Sequence, residues 1–71
     1  MAARYIEIKN SIRDDILSNR YRVGEKIPSE RELSQLYGVT RVTLQKSMHL
    51  LEQEGLIERI HGKGMFVTRP L

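Results

Sequence analysis

Apolar residues recur along this chain in two rhythms, and the change between them divides it. From Arg4 to about residue 20, Tyr5, Ile8, Ile12 and Ile16 fall at i, i+3, i+7 and i+11, which is one face of an α-helix. Ile6 and Leu17 flank that stripe, and Arg4, Glu7, Lys9, Arg13, Asp14 and Asp15 fill the rest. The pattern predicts an amphipathic core helix, weakened at Ser18-Asn19 and ended by Arg20-Tyr21-Arg22. The connector YRVGEKIP follows, with a turn at Gly24 and room for a very short strand at Lys26-Ile27. Pro28 disfavours helix at Ile27 and cannot donate to a ladder, so the next helix starts after it.

The stretch SERELSQLYGVTRVTLQKSMHLLEQEG reads as two helices joined by a short turn. Ser29 is placed to cap the first, with Glu32 three residues later to complete a capping box. Leu33 and Leu36 are expected to form its apolar side. Gly38 suits a positive φ at its C-terminal end. Thr40 suits the N-cap of the second helix, along which Leu44, Met48 and Leu51 repeat as a buried stripe. Arg41, Val42, Gln45, Lys46 and His49 then fall on the outer side. Gly55 stands just beyond the helix, where glycine is preferred.

At Leu56 the rhythm changes. Leu56 to Ile60 and Met65 to Thr68 read as strands around the turn His61-Gly62-Lys63-Gly64, a β-hairpin, and Arg69-Pro70-Leu71 leads out of the fold. The order is helix, short strand, helix, helix, hairpin, with no internal repeat. The expected class is α+β: a winged helix-turn-helix of three helices and a small hairpin wing. The second helix of such a unit enters the DNA major groove.

Composition narrows this further. The 71 residues suit one small domain with a simple core. Twelve Lys and Arg against nine Asp and Glu give a net charge of +3, a mild basic excess compatible with a nucleic-acid partner without requiring one. With no cysteine, disulfides and thiolate metal sites are excluded. His49 and His61 lack ligand spacing, so neither a metal nor another cofactor is expected. No signal-peptide core and no apolar run of the ~20 residues needed to span a bilayer is present, and a cytoplasmic protein is expected. No nucleophile–base pair, catalytic carboxylate pair or phosphate loop stands out, so no enzyme is expected.

The segment PSERELSQLYGVTRVTLQKSMHLLEQEGLIERIHGKGMFV resembles the DNA-binding domain of GntR-type bacterial transcription regulators. The likeness rests on Pro28 to Leu33, Gly38 to Arg41, Leu51, Glu54 to Ile57, and Gly62-Lys63-Gly64 with Phe66-Val67. Upstream, Tyr5, the first helix and Gly24 also fit. The resemblance implies a winged helix over residues 1–71 that reads a pseudo-palindromic operator in double-stranded DNA. It implies also a separate C-terminal domain that dimerises and binds a small effector. On this reading the chain is the DNA-binding half of a longer regulator. The tyrosine-led first helix and the GKGMFV wing lean toward the metabolite-responsive branch with a lyase-like effector domain.

By position, the resemblance maps DNA contacts onto Arg31, onto Thr40, Arg41, Thr43 and Gln45, and onto His61, Gly62 and Lys63 in the wing. Arg41 falls in the first turn of the recognition helix, where base contacts concentrate, and an arginine fork suits guanine O6 and N7. Thr40 suits capping, contact or both. Arg31 suits DNA or a carboxylate on its own helix. Gln45 departs from the arginine common in the family and pairs naturally with adenine, while the neighbouring Lys46 suits a phosphate. Tyr5, Tyr21, Tyr37 and Phe66 read as core rather than as base-stacking groups. The rival to DNA binding is a winged helix used as a protein-interaction module, which calls for an acidic or apolar recognition face.

Overall fold

Ile8, Ile12 and Ile16 are buried to 1% exposure or less, and the first rhythm of the sequence is thereby the inner wall of the fold. The computed structural model describes residues 3–68. The helices are α1 (Arg4–Leu17), α2 (Glu30–Tyr37) and α3 (Arg41–Gln53), and the strands are β1 (Ile57–Ile60) and β2 (Gly64–Val67). The segment expected to lead out, Arg69-Pro70-Leu71, lies outside the described residues.

α1 packs chiefly on α3, whose Leu44, Met48 and Leu51 are fully buried. Ser47 is buried with them and was not visible in the apolar stripe. Its hydroxyl donates to the Tyr5 carbonyl at 2.6 Å, so the one polar group of this seam is satisfied. α1 ends at Leu17, earlier than the stripe suggested, because Asn19 turns the chain at φ 66°, a conformation asparagine tolerates. Leu17 is largely exposed. Tyr21 packs half-buried against the core. Burial first, then the charge of Asp15, pushes its phenol above the usual range, so it stays neutral and serves as packing.

The expected cap of α2 forms: the Ser29 hydroxyl accepts from the Glu32 N–H at 3.1 Å. The return arm differs, because the Glu32 carboxylate accepts from the Ser29 hydroxyl at 3.2 Å rather than from its backbone N–H. One expectation for α2 fails. Leu33 is buried, but Leu36 is 71% exposed. The inward side of this short helix runs through Leu33, Ser34 and half-buried Tyr37, and at about 100° per residue Leu36 falls on the flank beyond it. Gly38 takes φ 66° and closes α2, and the Thr40 side chain accepts from the Thr43 N–H to open α3.

The wing is a two-stranded antiparallel hairpin pairing Ile57 with Val67 and Ile60 with Gly64. Leu56 belongs to the helix exit, its N–H bonding the Leu51 carbonyl. Lys26 bridges Phe66, as the short strand expected at Lys26-Ile27 requires. The Ile27 N–H bonds the Met65 carbonyl at 3.0 Å and the Val67 N–H bonds the Glu25 carbonyl at 2.9 Å. β2 is therefore bordered on both sides. Ile57, Met65 and Val67 reach down into the core cluster, which fixes the wing beside the helices.

Candidate nucleic-acid interface

The ion pairs decide which cations are available for a ligand. Arg4 pairs with Glu7, Lys9 and Arg13 with Glu54, Arg20 with Asp15, and Arg59 with both Glu30 and Glu52. Among the described residues the cations in no ion pair are Arg22, Lys46 and a set of four, Lys26, Arg31, Arg41 and Lys63. All four line one groove between the start of α2, the start of α3 and the wing, with a volume of about 480 Å3. His61 and Gly62 line it too, at the wing turn. The groove contains one carboxylate, Glu30, which lies 3.0 Å from the Arg59 guanidinium. That contact is an ion pair without hydrogen-bond geometry. The groove is therefore cationic, and its positive charge comes from the connector, both helices of the helix-turn-helix and the wing.

The other expected residues are placed differently. Thr40 and Thr43 are occupied with each other: the Thr40 oxygen caps the Thr43 N–H at 3.2 Å, and the two hydroxyls lie 3.1 Å apart. Gln45 is exposed on α3 outside the groove lining. Lys46 turns toward α1, where its ammonium sits 5.6 Å from the centre of the Tyr5 ring. A cation over a tyrosine face is held weakly, by about 0.5–1 kcal/mol at an exposed site. Arg41 and Lys46 thus occupy opposite flanks of α3. Val42 lies on the outer side between them, 64% exposed.

Two residues were not singled out in the sequence. Arg59 joins the wing to α3 through Glu52 at 2.9 Å and to α2 through Glu30. Its signal was the two-residue alternation from buried Ile57, which turns Arg59 toward the body. Lys26 had no comparable signal. Its side chain runs across Gly64, where an added Cβ would meet the Lys26 Cε at 2.8 Å. Gly64 itself has φ 120°, a conformation that favours glycine.

No helix among the described residues is long and apolar enough to cross a membrane. A helix-turn-helix whose second helix lies beside a hairpin, with a cationic groove between them, defines a winged-helix domain. The chain belongs to the bacterial regulatory proteins of the gntR family, which it matches over residues 4–67.

It is 38% identical over 65 residues to the Uxu operon regulator of Haemophilus influenzae, covering 92% of this chain and 24% of that protein. To the HTH-type transcriptional regulator TreR of Bacillus subtilis it is 41% identical over 64 residues, 90% of this chain and 27% of that one. This chain therefore spans about a quarter of the length of these curated relatives. Among solved structures, AraR(DBD) in complex with operator ORE1 superposes with a TM-score of 0.92 at 35% identity, over 96% of this chain and 83% of that one.

Proposed function

We propose that this domain reads an operator in double-stranded DNA, with α3 in the major groove and the wing at the adjacent minor groove. The observation that carries the proposal is the convergence of four cations without carboxylate partners, Lys26, Arg31, Arg41 and Lys63, on the groove between α3 and the wing. The AraR domain bound to its operator has the same fold, which supports the same mode of docking. Arg31 and Lys63 meet phosphates, Arg41 reads a base, and His61 and Gly62 bring the wing backbone close to the minor groove. Thr40 and Thr43 act mainly as the cap that sets the first turn of α3, and that helix N-terminus favours a phosphate. Gln45 and Lys46 lie to the sides of the Arg41 contact. The domain acts by binding, and no reaction is assigned to it.

In the whole regulator we propose a homodimer held by a C-terminal domain that also binds a small effector. The two winged helices then meet two half-sites of a pseudo-palindrome. The rival reading, a protein-interaction module, requires an acidic or apolar outer face on α3. That face carries Arg41 and Gln45 beside a single exposed apolar residue, Val42, and no carboxylate, which favours DNA.

The test is a titration of labelled duplex at several salt concentrations. A domain that neutralises several phosphates gives a steep negative salt slope; flat salt dependence would instead favour a protein partner. Lys63→Ala is expected to weaken all sequences alike and to lower the slope by about one unit. Loss confined to one operator variant would mean that Lys63 reads bases in the minor groove. Gln45→Arg is expected to raise affinity by adding charge and to shift preference toward guanine at the neighbouring position, as read by selection on randomised duplexes.

A further inference from the structure

We propose that Lys26, in the connector before α2, is a DNA-backbone contact that seats the phosphate strand passing between recognition helix and wing. The inference rests on the docking proposed above and adds a residue that the helix-turn-helix and wing pattern does not supply. Major and minor grooves are separated by a sugar-phosphate strand. If α3 occupies one groove and the wing the next, that strand must cross the space between them. The space is the groove lined by Lys26, Arg31, Arg41 and Lys63.

Lys26 is held there rather than tethered loosely. Its backbone bridges Phe66 on the edge of β2 away from β1, and its neighbours Glu25 and Ile27 are hydrogen-bonded to that strand. Its side chain lies along Gly64, with Cδ, Cε and Nζ at 3.7, 2.8 and 3.6 Å from the position a Cβ would take. The ammonium is thereby brought beside Gly64, at the base of the wing turn. Among the described residues no carboxylate pairs with it, and Glu30, the one carboxylate of the groove, is engaged by Arg59. An ammonium with unused donors, carried on an anchored backbone and set in a groove dominated by positive charge, suits a phosphate oxygen. It carries no base information, so its contribution is affinity and register.

The experiment uses the duplex recovered by selection from a randomised pool, with single phosphates replaced in turn by neutral methylphosphonates. Wild type, Lys26→Gln and Lys26→Arg are titrated across a salt series, and circular dichroism checks that each variant is folded. Lys26→Gln is expected to lower the salt slope by about one unit with an unchanged sequence preference. At one phosphate position, neutralisation should weaken wild type and Lys26→Arg but leave Lys26→Gln unaffected. If Lys26→Gln keeps both the wild-type slope and the wild-type methylphosphonate profile, the contact does not exist while operator binding still stands. If wild type itself binds without salt dependence, the contact falls together with the docking on which it rests.

Discussion

Replacing Leu51 by alanine is expected to lower the stability of the domain by about 2–5 kcal/mol, measured by urea unfolding. Leu51 is fully buried between the other members of the α3 stripe and the isoleucines of α1. A domain of this size has a small core and a modest total stability, so the loss is a large share of the whole. His49, two residues earlier, is exposed on the outer side, and His49→Ala should stay within about 0.5 kcal/mol. Equal effects at the two positions would mean that the faces of α3 are wrongly assigned.

The second large effect concerns recognition. Arg41→Ala is expected to reduce operator affinity by about 1–3 kcal/mol and to relax the preference for guanine at one position. Arg41 is exposed in the first turn of α3, it lines the cationic groove, and no carboxylate among the described residues competes for its guanidinium. Selection on randomised duplexes with wild type and Arg41→Ala separates two outcomes. A relaxed position in the recovered sequences identifies a base contact. An unchanged preference with weaker binding throughout would make Arg41 a phosphate contact and overturn the assignment.

Much of the architecture was legible because short-range physics determines it. Ile8, Ile12 and Ile16 announce α1 by spacing alone. Ser29, Gly38 and Thr40 announce the limits of α2 and α3 by residue type, since a cap needs a side-chain oxygen and a left-handed turn favours glycine. Leu36 was misread because an eight-residue helix offers too few turns for spacing to fix its inward side, and Tyr37 took that place instead.

The candidate site was legible where the family resemblance places residues at fixed positions. Arg31, Arg41, His61, Gly62 and Lys63 were named from the sequence, and the fold brings them to one groove. Its limits were tertiary. Only the three-dimensional arrangement brings Lys46 over the Tyr5 ring of α1, lays Lys26 across Gly64, and makes Arg59 a bridge between Glu30 and Glu52. Lys46 and Tyr5, Lys26 and Gly64, and Arg59 and Glu30 are far apart in sequence, and only Arg59 had a periodic signal, its alternation with Ile57.

The attachments of the wing have a consequence for the DNA. β2 is bordered by β1 and by residues 25–27, Thr68 is bonded to the carbonyls of Leu56 and Gly55, and Arg59 joins the hairpin to both α2 and α3. These attachments tie the base of the wing to α2 and α3, and so limit how far the opening between the wing and the first turn of α3 can change. A half-site must match that opening. Inserting a single base pair between the stretch under α3 and the stretch under the wing would rotate and displace one relative to the other, against the attachments that hold the wing. On the proposed docking, bending of the double helix would restore the fit more readily than movement of the wing, and the expected result is sensitivity to groove width and stiffness as well as to base identity.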